Sequence, residues 1–181
     1  HGFAAFLVRR EKQDIVTDER EVNCMLHRSV LQGIAIAQWI RTRPEIATDR
    51  IAVFGISFGG IIATLMVAVD QEIAAAVLCL VGGDLPYVIR HCQDGAWRGR
   101  GVSARRAIYL KEKRISPCVF ERRLRKSITW DPLKVAQYAN PQKILLVLEG
   151  LAPEVLAIGN SVPAPGFVAQ LGDVLAARAG E

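Results

Sequence analysis

The sequence has few of the residues that bind metal ions. It contains only three histidines and four cysteines, which are His1, His27, His91, Cys24, Cys79, Cys92 and Cys118. No Cys-x-x-Cys pair occurs and the histidines stand at no zinc-like spacing, so no metal site is expected. The cysteines are far apart, which favours reduced thiols in a cytoplasmic protein over a disulfide framework. Cys24 and Cys79 lie in apolar periodic segments and are predicted to be small core residues.

The chain also lacks a charged-then-apolar leader, an internal repeat and a low-complexity linker. Because it begins with His1 rather than methionine, we expect it to be a piece of a longer protein. Hydrophobic residues make up 51% of the chain and charged residues 23%, which excludes a disordered composition. Residues 1–181 have the length of a single domain that can bury a core.

Positive charge is concentrated in one part of the chain. Between residues 98 and 126, eleven arginines and lysines stand against two glutamates. The net positive charge of this segment is therefore larger than the net charge of +5 of the whole chain. Apolar residues recur among the basic ones at helical spacing, which predicts a solvated face of helices. Electrostatic attraction of an anionic substrate or an acidic surface remains an alternative. Nucleic-acid binding has no support, because the segment contains no recognisable motif and no platform of stacking aromatics.

A Gly-x-Ser-x-Gly pattern lies between two apolar runs. The chain reads Arg50-Ile-Ala-Val-Phe-Gly-Ile-Ser-Phe-Gly-Gly-Ile-Ile-Ala-Thr64, which predicts a strand, a tight turn and a helix. The turn forces Ser57 into a strained backbone conformation, and Gly55 and Gly59 are expected where a side chain would collide with the neighbouring strand and helix. The Ser57 hydroxyl would then stand at the end of the sheet, with the N–H of Phe58 placed to bind an oxyanion.

This stretch has two alternative interpretations. Residues 51–69 contain no charged side chain and are about long enough for a membrane helix. However, three glycines around a serine divide the run into two pieces with different residue preferences, which argues against a span. A turn that matches the pattern by chance is the second alternative.

On this pattern, and from about Gly2 to Gly150, the sequence resembles the α/β-hydrolase superfamily. The most similar members are the dienelactone-hydrolase-like and prolyl-peptidase-like serine esterases, in which Gly-x-Ser-x-Gly forms the nucleophile elbow. The resemblance implies that Ser57 attacks an ester or related acyl bond, as in a carboxylesterase, lipase or thioesterase, through an acyl-Ser57 intermediate. It implies a small-molecule acyl substrate and no cofactor. The residues themselves predict neither a nucleic-acid partner nor a membrane span.

The order of predicted elements fits the same family. In sequence they are a buried strand at Gly2–Val8, a helix from Asp18 to about Pro44, the elbow strand and a helix to about Asp70, a strand at Ile73–Val81, helices near Ser103–Lys113 and Pro117–Lys126, a helix from Asp131 to Tyr138, and a strand at Lys143–Leu148. The first helix is expected to pack on the sheet. The fold class is α/β, a three-layer, mostly parallel sheet with helices on both faces. Residues 85–130, which contain the basic segment, fit the cap that many of these hydrolases carry.

The residues that should activate Ser57 are missing from the expected places. The family supplies the acid and then the histidine after the nucleophile, and none of His1, His27 and His91 matches. Three carboxylates are candidates for the acid: Glu149, Glu154, and Asp84, the last at a position that some lipases use. For each of them the favoured interpretation is a solvated loop carboxylate, and the catalytic role is the alternative. The segment around Asn160 is similar to the family's acid loop, with asparagine or glycine where aspartate would stand.

The end of the chain suggests a truncation. Apolar residues between Phe167 and Leu175 are spaced like the helix that follows the acid loop, and the last strand and its histidine would be due after Glu181. A second oxyanion donor would lie before His1. We therefore expect residues 1–181 alone to be inactive and aggregation-prone, with exposed strands at Phe3–Val8 and Ile144–Leu148. The alternative to an enzyme is a non-catalytic α/β-hydrolase-like binding or interaction module.

Overall fold

A computed structural model describes residues 4–8, 18–93 and 101–147 of the protein. The chain divides into two units, residues 1–148 and 149–181, and the fold given below belongs to the first. In chain order its elements are helix α1 (Glu19–Arg41), strand β1 (Ala52–Ile56), helix α2 (Phe58–Val69), strand β2 (Ala75–Cys79), helices α3 (Leu85–His91), α4 (Val102–Lys113), α5 (Pro117–Ser127) and α6 (Pro132–Val135), and strand β3 (Ile144–Val147). Short 3-10 turns occupy Thr48–Arg50, Ala136–Tyr138 and Pro141–Lys143.

The three strands form a parallel sheet in the order β1-β2-β3. Because the register pairs Val53 with Ala76 and Ala76 with Ile144, these three side chains share one face of the sheet and join the core. Helix α2 packs against β1 and β2. On the opposite face of β1, Phe54 and Ile56 are more than half exposed. The parallel sheet with its helices confirms the α/β class and is compatible with an α/β-hydrolase-like fold.

Helix α1 begins where the sequence predicts. Asp18 is its N-cap and accepts a hydrogen bond from the Arg20 N–H at 2.7 Å. The buried stripe of α1, which includes Val22, Leu26 and Val30, packs mainly against α2 and α5 and not against the sheet as predicted. The prediction that Cys24 is a core residue is also wrong. Cys24 is exposed, because it lies between the buried positions of the helical repeat.

The predicted strand at the start of the chain is not found in residues 4–8. These residues have no strand pairing, and Leu7 is 97% exposed. Phe6 makes an edge-on contact with the Trp39 ring of α1, with 6.0 Å between ring centroids. An apolar run forms a strand only when a neighbouring strand supplies the backbone partners, and none of the described strands pairs with this one.

The predicted cap contains one helix that the sequence pattern does not predict. Helices α4 and α5 lie where expected, with Tyr109, Phe120 and Leu124 buried beneath them. The additional helix is α3, which has Asp84 as its N-cap and a proline in its first turn. The same combination of aspartate and proline correctly predicts the start of α6 at Asp131. The seven residues of α3 are too short to give a clear apolar period.

The stretch 51–69 forms a strand and a twelve-residue helix, so its interpretation as a membrane helix is wrong. No helix in the described part of the chain has the length and apolar character that a membrane span requires.

Candidate active site

Ser57 occupies a sharp turn between β1 and α2. Its backbone has φ 52° and ψ −117°, outside the regions that L-residues normally adopt. Two hydrogen bonds hold this conformation: the Ser57 N–H donates to the Cys79 carbonyl of β2 at 2.8 Å, and the Ser57 carbonyl accepts from the Ile61 N–H of α2 at 3.1 Å. Such strain costs about 1–3 kcal/mol and persists only where the surrounding structure determines it. The turn therefore has the geometry that the sequence predicts.

The side chain of Ser57 is exposed to solvent. It makes no capping hydrogen bond to α2, and its hydroxyl has no hydrogen-bond partner among the described residues. A serine before a helix usually accepts a hydrogen bond from the first turn, so the strained backbone directs this hydroxyl away from its ordinary role. An exposed serine hydroxyl in this position can approach a substrate carbonyl.

The glycines around Ser57 do not all have the role that was predicted. A Cβ atom on Gly55 would lie 2.6 Å from the Gly60 nitrogen and closer still to the Gly59 carbonyl, so Gly55 is required for the approach of strand to helix. At Gly59 the predicted collision is wrong, because a Cβ there meets no described atom within 4 Å. The second tight position at this turn is Gly60, whose Cβ would lie 3.2 Å from the Val81 Cβ and 3.3 Å from the Cys79 oxygen.

Phe58 is the first residue of α2. It is half-buried and packs against the hydrophobic core, which fixes the start of the helix beneath Ser57. The first turn of α2 carries no acidic side chain that would compensate the positive end of the helix dipole. The backbone at Phe58 is therefore in a positive environment, and its role as an oxyanion donor stays a prediction.

Asp84 follows β2 at the same edge of the sheet, but its carboxylate already has partners. It contacts the Arg125 guanidinium at 2.9 Å and accepts a hydrogen bond from the Tyr87 N–H at 3.2 Å, as the N-cap of α3. Of the described histidines, neither contacts it. The other two acid candidates, Glu149 and Glu154, lie outside the described residues.

The described histidines make their contacts elsewhere. The His27 ring lies 4.5 Å from the Trp130 ring, and its Nε2 is 3.5 Å from the Thr129 hydroxyl. His91, in the last turn of α3, stacks on Tyr87 with 4.2 Å between ring centroids. His1 lies outside the described residues. Within the part of the chain that the structure describes, no histidine therefore forms a hydrogen bond with Ser57.

Asp131 holds the loop after β2, a role that the sequence alone does not predict. Asp131 is 2% exposed, and its carboxylate accepts three backbone hydrogen bonds, from Asp84 at 3.0 Å, Leu85 at 2.7 Å and Leu133 at 2.9 Å. The Asp-Pro pair predicted only the bond to Leu133, which caps α6. The other two bonds join residues that are far apart in sequence, and no local signal predicts them.

The basic helices of the cap are partly neutralised by ion pairs. Glu121 of α5 binds Arg90 of α3 and Arg125 of its own helix. These two guanidinium groups, Arg90 first, lower the pKa of the Glu121 carboxyl. Arg122 and Lys126 point into solvent on the opposite side from the buried Phe120. The segment thus has the solvated basic face that its periodicity predicts.

Comparison with known proteins identifies one related family. A family model described as BAAT / Acyl-CoA thioester hydrolase C terminal matches residues 35–98, about a third of the chain. This family is in the α/β-hydrolase superfamily, and the matched residues include β1, Ser57, α2, β2 and α3. Neither the curated proteins nor the solved structures gave a match. The centre of the chain is thus similar to a hydrolase family whose described substrates are acyl-CoA thioesters.

Proposed function

We propose that the protein is an α/β-hydrolase-type serine hydrolase that cleaves an acyl thioester, of the acyl-CoA class, through an acyl-Ser57 intermediate. The observation that carries the proposal is the strained, exposed Ser57, whose hydroxyl has no partner among the described residues. The match of residues 35–98 to an acyl-CoA thioester hydrolase family favours a thioester over an oxygen ester.

The chemistry proceeds in two steps at Ser57. Its Oγ bonds to the carbonyl carbon while its proton passes to a general base, and the C–S bond breaks to release the thiol. Water then attacks the acyl-Ser57 carbonyl, the acid product leaves, and the serine hydroxyl is restored. In both steps negative charge develops on the carbonyl oxygen, and the Phe58 N–H at the start of α2 is the donor we assign to it. Either Glu149, Glu154 or Asp84 would orient the base.

The test compares the full-length protein with its Ser57→Ala variant. Thiol release from short acyl-CoA thioesters and hydrolysis of p-nitrophenyl esters are followed by absorbance. Loss of the nucleophile should lower turnover by about three to six orders of magnitude. Ser29→Ala on α1 is the matched control and should leave turnover unchanged. Unaltered turnover in Ser57→Ala would refute the assignment of Ser57.

A non-catalytic binding module is the second candidate. It is favoured by the contacts of His27 and His91, which are with Trp130, Thr129 and Tyr87 and not with Ser57. A serine-directed fluorophosphonate probe separates the two candidates. Covalent labelling of Ser57, seen by mass spectrometry, supports the hydrolase. Absence of labelling and of turnover, together with retained binding of acyl-CoA in calorimetry, supports the module.

A further inference from the structure

Leu80, the residue after β2, has a backbone conformation that leucine rarely adopts. Its φ is 53°, in the left-handed region. Among the described residues four non-glycine residues have positive φ, and three of them, Ser57, Leu80 and Asp84, follow the carboxyl ends of β1 and β2. Aspartate tolerates this region, but a bulky apolar residue there is an outlier. Outliers of this kind cluster at functional sites.

Leu80 is the neighbour of Ser57 across the sheet. The register pairs Ile56 with Cys79, so the next positions along the two strands are Ser57 and Leu80. Neighbouring strands lie about 4.8 Å apart, which places the two backbones one strand spacing from each other. Backbone bonds fix both residues: the Ser57 N–H donates to the Cys79 carbonyl at 2.8 Å and the Leu80 N–H donates to the Val147 carbonyl at 2.9 Å.

The Leu80 side chain is not used by the core. It is 49% exposed and does not belong to the hydrophobic cluster beneath α2. An apolar side chain that is half exposed, on a strained backbone beside the nucleophile, is placed to meet a substrate. In open α/β sheets the ligand binds outside the carboxyl ends of the strands, which is where Leu80 stands.

We propose that Leu80 is a specificity-determining residue that forms an apolar wall for the acyl chain of the substrate. The proposal rests on the hydrolase function proposed above and narrows its substrate class to thioesters with an alkyl acyl chain of several carbons. Each methylene that packs against such a wall improves kcat/KM by about fourfold. An acetyl group has no methylene to pack against the wall.

The experiment measures kcat/KM of the full-length protein for acetyl-, butyryl-, hexanoyl- and octanoyl-CoA. Leu80→Gly removes the wall and suits the positive φ, and Leu80→Asn replaces the wall with a polar side chain that also tolerates this backbone. Arg114→Gly is the matched control, because Arg114 has φ 52° at the exposed end of α4. Its replacement relieves the same backbone strain without removing an apolar side chain.

We expect kcat/KM of the wild type and of Arg114→Gly to rise with chain length, and the rise to fall below about twofold per methylene in both Leu80 variants. The melting temperature should be retained or raised in both glycine variants, which separates a lost contact from misfolding. An unchanged chain-length slope in Leu80→Gly overturns the inference. A slope that flattens equally in Arg114→Gly also overturns it.

Binding to the Ser57→Ala variant tests the wall without turnover. Calorimetry should give tighter binding of octanoyl-CoA than of acetyl-CoA, and Leu80→Gly in the same background should reduce this difference. If the difference does not depend on Leu80, the inference is wrong whatever the catalytic result. If the difference in binding depends on Leu80 but Ser57→Ala still hydrolyses thioesters, the role of Leu80 is supported and the assignment of Ser57 as nucleophile is refuted.

Discussion

Replacing Gly55 by alanine should destabilise the protein, because the elbow has no room for a Cβ atom. The added atom would lie 2.6 Å from the Gly60 nitrogen and closer to the Gly59 carbonyl. These are backbone atoms of the first turn of α2, so the strand and the helix must move apart. Overpacking of this kind costs about 1–3 kcal/mol. For a chain of this size the melting temperature should fall by about 2–12 °C.

Gly59→Ala is the matched control within the same pattern. At Gly59 a Cβ meets no described atom within 4 Å, and the residue lies in the first turn of α2. Alanine is favoured over glycine in a helix by about 0.5–1 kcal/mol, so this variant should hold or raise the melting temperature. Differential scanning calorimetry of the full-length protein measures both variants under the same conditions.

The two variants should also differ in the accessibility of Ser57. A shift of α2 away from β1 strains the bonds that hold the Ser57 backbone, and labelling by a fluorophosphonate probe should slow by about tenfold or more in Gly55→Ala. Labelling of Gly59→Ala should match the wild type. If Gly59→Ala loses as much stability as Gly55→Ala, the close approach of strand and helix is not where the structure places it, and the argument from Gly55 fails.

Two further predictions concern buried polar groups. Asp131→Ala should lower the free energy of unfolding by about 2–4 kcal/mol in urea titrations, because it leaves three backbone N–H groups without their acceptor. The control is Asp49→Ala, on an exposed turn, which should leave the free energy of unfolding unchanged. Burial, with the hydrogen bond to Glu19, raises the pKa of Tyr109 from 10 to about 12. Its contribution to stability is therefore complete below pH 10 and is lost as the pH rises toward 12, and Tyr109→Phe should abolish this decline in alkaline unfolding curves.

The local elements could be predicted from the sequence because their signals are local. Alternation of apolar runs with glycine and serine predicted the strand, the turn and the helix around Ser57, and the structure has them at Ala52–Ile56 and Phe58–Val69. Asp18 and Asp131 predicted helix starts because an N-cap bond reaches only two or three residues ahead. In these places the backbone conformation follows from neighbours in the sequence.

The features that were missed depend on partners that are distant in the sequence. The apolar residues 4–8 have the composition of a strand, but strand formation requires pairing that their own sequence does not specify. Gly60 is tight because Val81 and Cys79 approach it from the next strand, and the spacing of the pattern pointed to Gly59 instead. The bond from Asp131 to the Asp84 N–H spans 47 residues. Each of these three features depends on packing between elements, and a single sequence carries little information on which elements pack together.

The loop between Leu80 and Asp84 is held at both ends, and this explains how two residues with positive φ persist within five positions. At its start, the Leu80 N–H binds Val147 of β3, and at its end the Asp84 N–H binds the buried Asp131. A change of backbone conformation at either residue would strain the hydrogen bond of its own N–H, and the loss of such a bond opposes the relaxation. The geometry beside Ser57 is therefore set by residues of β3 and α6 that take no part in the proposed chemistry.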